Sequence, residues 1–194
     1  MIEEINSNLK KIAIGTTNFG MKYGVANKEQ TPYDEVKKII DFSRLQGINS
    51  YDTAPLYGSS EKVLGTLCES NDIINTKIVQ INNDEINDSK IQFIEKTFYN
   101  SLKNLKKDKI YSLLVHKIDN LLGTGGEKLF RWMKKLKTKG LIDKIGVSVY
   151  NEKELGLILG QYEIDLVQLP LNILDQRFVK SGYINLLSKK SIEI

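Results

Sequence analysis

Short apolar runs alternate with amphipathic helical patterns along this chain, and that alternation leaves few folds open to it. Lys11-Ile12-Ala13-Ile14-Gly15 reads as a short buried strand. Tyr33 to Gln46 reads as a helix with Val36, Ile39, Ile40 and Leu45 on its apolar side, Thr31 as its cap, Pro32 in its first turn and Gly47 closing it. Ile48 to Asp52 is the second strand, and Ser59 or Ser60 caps a helix to about Glu69. Strands at Ile73 to Val79, Tyr111 to His116, Lys144 to Val149 and Ile164 to Leu169 follow. Helices at Ser89 to Leu105, Gly126 to Lys139 and Glu152 to Leu159 fall between them, and another lies near Tyr183 to Lys190. Ser191 to Ile194 opens a seventh strand.

Alternating β and α units imply a parallel sheet with helices outside it. An open doubly wound sheet and a (β/α)8 barrel of the TIM type both fit. A dinucleotide-binding open sheet carries G-x-G-x-x-G after its first strand. Here that turn reads Gly15-Thr16-Thr17-Asn18-Phe19-Gly20, which does not match. Polar residues instead recur at strand C-termini, where barrels build active sites from βα loops. The expected fold class is therefore α/β, a (β/α)8 barrel. A whole barrel takes about 250 residues. At 194 residues the expectation is a single, C-terminally incomplete barrel domain over 1–194, with about six βα units plus the start of a seventh strand. Unpaired barrel edges would invite self-association.

Composition narrows the function classes. Hydrophobic residues at 41% and charged residues at 27% are ordinary for a globular protein. The net charge of +4 comes from lysines scattered among acids, which reads as solvated helix faces and not as a nucleic-acid stripe. The densest basic stretch, Arg131 to Lys139, lies on a helical pattern and reads as a surface face. The single cysteine, Cys68, leaves no internal disulfide and no cysteine metal cluster, and its apolar neighbours mark it as a buried thiol. No apolar run reaches the ~18 residues of a membrane span. Met1 to Asn8 is polar, without a signal-peptide core, so a cytoplasmic enzyme is expected. The abundance of Asn, Lys and Ile points to a bacterial source.

Alternate residues of a strand share a face. Ser50 shares one with Asp52, Asn75 with Lys77, Ser112 and Leu114 with His116, Gly146 with Ser148, and Leu166 with Gln168. With those faces inward, Asp52, Lys77, His116, Ser148 and Gln168 converge at one mouth. Tyr57 follows Asp52 in a turn leading into a helix. A free tyrosine has a pKa of about 10, too high for an efficient proton donor near neutrality. A neighbouring lysine cation favours the phenolate, and a buried lysine needs a counter-charge such as Asp52. His116, the only histidine, can orient a substrate oxygen. Such a set suits proton delivery to a carbonyl oxygen as hydride reaches the carbon. One histidine and one carboxylate are too few for a metal, and there is no G-x-S-x-G hydrolase motif.

Tyr51-Asp52-Thr53-Ala54 with Tyr57-Gly58 and Glu61-x-x-Leu64-Gly65, then Thr76-Lys77, Leu113-Leu114-Val115-His116 and Gly146-Val147-Ser148, resemble the aldo-keto reductase family in order and spacing. The similarity runs from about Ile12 to the end. It implies a (β/α)8 barrel, NADPH or NADH as hydride donor, and reversible reduction of an aldehyde or ketone. It implies Tyr57 as general acid, Lys77 as the group that makes it acidic, Asp52 as partner to Lys77 and His116 as substrate orienter. On the cofactor side it implies Gly15, Thr16 and Asp52, with Ser148 and Gln168 on the nicotinamide amide. The family often has Asn after that serine; Val149 stands there, and Asn151 is a candidate substitute. The family holds the cofactor phosphates with loops after strands seven and eight, which would also choose between NADPH and NADH. A second reading is therefore a non-catalytic fragment or interaction protein that keeps the four residues. A third is a different barrel enzyme acting on a phosphorylated substrate, which would need the same region.

Other segments read more plainly. Gly123-Thr124-Gly125-Gly126 lacks the ending of a phosphate loop and is expected to be a flexible connection. Trp132 and Met133 read as packing residues. Phe19 and Tyr23 suit either the substrate pocket or loop packing, and Asn82 to Ser89 either a lid or a plain surface loop.

Overall fold

The computed structural model describes residues 11–24, 29–82 and 85–194. Met1 to Asn8 and part of the Asn82 to Ser89 stretch lie outside them. Residues up to Val79 with Lys96–Tyr111 form one compact unit, and Gln80–Glu95 with Ser112–Ile194 a second.

In the first unit β1 (Ala13–Gly15), α1 (Thr17–Gly20), α2 (Tyr33–Leu45), β2 (Ser50–Asp52), α3 (Ser60–Leu67) and β3 (Ile73–Lys77) follow one another. The later part of α4 (Asp88–Leu105) and the start of β4 (Ile110–Val115) complete it. β1 pairs with β2 in parallel, Gly15 opposite Asp52, and β2 with β3, Asp52 opposite Asn75. On β2 the parity expectation holds: Tyr51 is fully buried while Ser50 and Asp52 face the other way, and Asn75 Nδ2 reaches Ser50 Oγ at 3.2 Å. Val36, Ile40, Leu64, Ile74 and Leu105 fill the core. Each such side chain contributes about 1.5–3 kcal/mol on leaving water. Arg44, in the last turn of α2, donates to Asp72 Oδ2 at 2.6 Å and to Leu67 O at 2.7 Å, tying that helix to the connection before β3.

The helix starts differ from expectation. Pro32, not Thr31, holds the cap position of α2, and no side chain bonds there. Ser59 caps α3 by position alone. Its hydroxyl instead accepts from Gln30 Nε2, because a tertiary partner competes with the local one.

The second unit holds the rest of β4, α5 (Asp119–Leu122), α6 (Gly126–Thr138), β5 (Ile142–Ser148), α7 (Glu152–Gln161), β6 (Leu166–Gln168), α8 (Arg177–Lys180) and α9 (Tyr183–Lys189). β5 and β6 run parallel, Ser148 opposite Gln168. Trp132 and Met133 are buried, as expected of packing residues, and Arg131, Lys134, Lys135 and Lys137 lie on the outer face of α6. The Gly123–Gly126 segment is close-packed, which corrects the expectation of a flexible loop. A Cβ on Gly126 would meet Leu121 O at 1.8 Å and one on Gly125 would meet Ile86 O at 2.2 Å. The seventh strand opens as a parallel bridge: Val167 N donates to Glu193 O at 2.8 Å and Glu193 N to Asp165 O at 2.9 Å.

The strands stand in sheet order β1-β2-β3-β4-β5-β6. A doubly wound sheet reverses its strand order partway. Sequential order, with a helix after each strand, is that of a (β/α)8 barrel, here with six βα units and the bridge of a seventh strand.

Candidate active site

The chain leaves β2 at Asp52 and turns back into α3, and Tyr57 lies in that turn. Tyr57 N donates to Ala54 O, and Ser60 N to Tyr57 O, both at 3.0 Å. Gly58 has φ 58°, and a Cβ on it would meet Gly20 O at 2.2 Å. A Cβ on Gly20 would meet Tyr57 O at 1.9 Å. Two glycines thus let α1 close on the tyrosine's turn, a backbone approach no other residue permits.

Lys77 ends β3 and is only 2% exposed. Its Nζ donates to Asp52 Oδ1 at 2.7 Å, to Asp52 Oδ2 at 2.8 Å and to Thr53 O at 3.3 Å. The same nitrogen lies over the Tyr57 ring, 5.2 Å from its centroid, within cation–π range. Asp52, Lys77 and Tyr57 therefore meet, as the spacing led one to expect.

A chain of buried hydroxyls braces these three. Thr53 Oγ1 and Ser60 Oγ are 3.1 Å apart, Ser60 Oγ donates to Thr16 Oγ1 at 2.7 Å, and Thr16 Oγ1 donates to Asp52 O at 2.8 Å. Thr16 is fully buried, so its hydroxyl is engaged in bracing Asp52. Gly15 adjoins it at the end of β1, paired with Asp52. Behind β3, Thr76 Oγ1 donates to Glu61 Oε1 at 2.9 Å, and Glu61 is 4% exposed. Burial lifts the Glu61 carboxyl above its ordinary pKa, against hydrogen bonds from Thr76, Ser101 and Asn104 that pull it down.

In the second unit, His116 is the first residue after β4 and is half-buried. Ser148 and Gln168 end β5 and β6 as register partners, and Val149 N donates to Gln168 O at 2.9 Å. A carboxamide asks for one donor and one acceptor, and a hydroxyl beside a primary amide supplies both. This donor set fits the nicotinamide amide expected there. Asn151 caps α7: Oδ1 accepts from Glu154 N at 2.9 Å and Nδ2 donates to Glu154 Oε1 at 2.8 Å. Phe19, in α1, is buried and Tyr23 is exposed. Among the described residues no group of three or more His, Cys, Asp and Glu could hold a metal, and no helix is long and apolar enough to cross a membrane.

The sequence profile of the aldo/keto reductase family matches residues 11–194. The chain belongs to the aldo/keto reductase family. Membership makes it an oxidoreductase of the carbonyl–alcohol class by descent. No curated protein sequence matches it. Among solved structures, a Pseudomonas aeruginosa protein assigned as an aldo-keto reductase is similar at 26% identity and TM-score 0.74, over 93% of this chain and 70% of its own. The holo form of an aldo-keto reductase from Bacillus halodurans shares the fold at 22% identity and TM-score 0.73, over 95% of this chain and 60% of its own. A glycerol dehydrogenase from Gluconobacter oxydans is 26% identical at TM-score 0.66, over 93% of this chain and 57% of its own. This aldo/keto reductase chain thus spans from somewhat over half to 70% of the length of these relatives.

Sequence reasoning placed Glu61 in a family motif but missed its burial and its bond to Thr76. The hydroxyl chain through Thr16, Thr53 and Ser60 was also missed, because nothing in local spacing brings those residues together.

Proposed function

We propose that this chain interconverts an aldehyde or ketone and its alcohol with NADPH or NADH, Tyr57 giving the proton to the carbonyl oxygen. The observation that carries this reading is Lys77, an almost fully buried ammonium gripped by Asp52 and lying 5.2 Å over the Tyr57 ring. A buried cation against a phenol has little reason to persist for stability alone, since apolar packing would serve as well. It favours the charge that appears on the phenol oxygen as the proton leaves. Asp52 pairs with Lys77 through both carboxylate oxygens, and Thr16 and Thr53 hold the backbone of that strand end. The cofactor, when bound, supplies the hydride. In the first unit Gly15 would flank it, with Thr16 bracing Asp52 from behind; the second unit, by itself, offers Ser148 and Gln168 to a carboxamide and His116 to a carbonyl oxygen. Similarity to a glycerol dehydrogenase supports chemistry that runs between alcohol and carbonyl.

A second reading is a protein that keeps the residues without turnover. One experiment separates the two. The full chain is mixed with NADPH or NADH and a panel of small aldehydes, with cofactor binding followed by fluorescence and turnover by loss of nicotinamide absorbance. Aldehyde-dependent loss supports the reductase; binding without loss, or no binding, supports the second reading.

A further inference from the structure

Glu61 is a buried carboxyl group that the reaction does not use, and its surroundings give it a task. It lies in the first turn of α3, four residues after Tyr57, and accepts from Thr76, the residue just before Lys77. Burying a carboxylate carries a heavy desolvation penalty. A plain packing position would be filled by an apolar side chain at no such penalty. A carboxylate can do what an apolar group cannot: accept several directed hydrogen bonds at once. Thr76, Ser101 and Asn104 all bond to it, joining α3, β3 and the end of α4 at one point. The packing there is close, since a Cβ on Gly65, one turn further along α3, would meet Asn104 O at 2.0 Å.

We propose that Glu61 is a positioning residue that, through Thr76, fixes the end of β3 so that the Lys77 ammonium stays over the Tyr57 ring. Strand geometry supplies the lever. Thr76 and Lys77 point to opposite faces of β3, so a bond that fixes Thr76 on one side sets the rotation of Lys77 on the other. Ser60 and Glu61 then act as adjacent hooks at the start of α3. Ser60 ties it to Thr16, hence to the ends of β1 and β2, and Glu61 ties it to the end of β3. The element that carries Tyr57 is thereby locked to the strands that carry Asp52 and Lys77. This inference rests on the reading of Tyr57 and Lys77 given above.

The test uses the full chain without cofactor. The ε-methylene protons of Lys77 next to an aromatic face carry a ring-current shift, read by NMR on lysine-labelled protein and assigned through Lys77→Arg. The wild type is expected to show that shift and Tyr57→Leu to abolish it; if either fails, the underlying site reading fails. Given that shift, Thr76→Val and Glu61→Met are expected to remove at least half of it, whereas Thr76→Ser and Glu61→Gln, which keep the bond, retain it. A shift unchanged in Thr76→Val overturns the inference while leaving the site reading intact. Thr76→Val preserves side-chain volume, so the outcome does not depend on Glu61→Met folding. With an aldehyde substrate the same bond-breaking variants are expected to lower kcat about 10-fold with KM unchanged, because the displaced group acts only at the transition state.

Discussion

Replacing Asp52 with Asn tests whether the Lys77 pair behaves as a buried interaction. Asp52→Asn keeps the side-chain shape and one acceptor oxygen but removes the charge facing Lys77 Nζ, which now sits 2.7 and 2.8 Å from the two carboxylate oxygens. At an effective dielectric of about 20 the bare Coulomb attraction at that distance is about 6 kcal/mol. The Asp52 side chain is 17% exposed, so solvent screens part of it. The amide oxygen still accepts from Lys77 and restores another part. Breaking one side of a buried pair costs about 3–5 kcal/mol, and the lower end, about 3 kcal/mol, applies here. Urea unfolding followed by circular dichroism is the assay. In a chain of this size such a loss also lowers Tm by about 6–12 °C. The double variant Asp52→Asn with Lys77→Met is expected to recover to within about 1 kcal/mol of the wild type, since neither charge is then left unpaired. A loss below about 1 kcal/mol for Asp52→Asn, the value of an exposed pair, would refute the reasoning.

Three further outcomes follow from the same geometry. Burial raises the Glu61 carboxyl above 4.5, so the folded chain keeps that proton to higher pH than the unfolded chain. Its contribution to stability is full below about pH 4.5 and is lost as pH rises through the higher folded value, so wild type should lose stability relative to Glu61→Gln as pH is raised above about 4.5 in urea titrations. A parallel pH dependence in the two proteins would contradict this. Burial pushes the Cys68 thiol up to about 12, which leaves about one thiolate in ten thousand at pH 8; alkylation should be slow in the native chain and rapid once it is unfolded. Asn151→Ala removes the α7 cap and should cost about 1 kcal/mol without altering cofactor binding; a loss of binding would return Asn151 to the cofactor site.

The alternation of elements was legible because a pattern of five or more residues carries its own period. Six strands and the longer helices fell within a few residues of expectation for that reason. α1, α5 and α8 have four residues each, too few to show a helical period, and were not foreseen. The meeting of Asp52 with Lys77 was legible because both end neighbouring parallel strands, so parity and register suffice to bring them together. The bracing was not. Ser60 reaches Thr16 across 44 residues and Thr76 reaches Glu61 across 15, and no local signal marks a threonine or glutamate for burial. Glutamate is normally solvated, so its motif position alone said nothing of its environment. The capping role of Asn151 was not legible, because an asparagine near a cofactor strand and an asparagine at a helix start look alike until the Glu154 bond is seen.

The most direct test of proton donation is a comparison of wild type with Tyr57→Phe at equal cofactor occupancy and saturating aldehyde. The expected result is unchanged cofactor affinity with turnover lowered at least about 100-fold, the scale of a lost general acid. Equal turnover in the two proteins would contradict it.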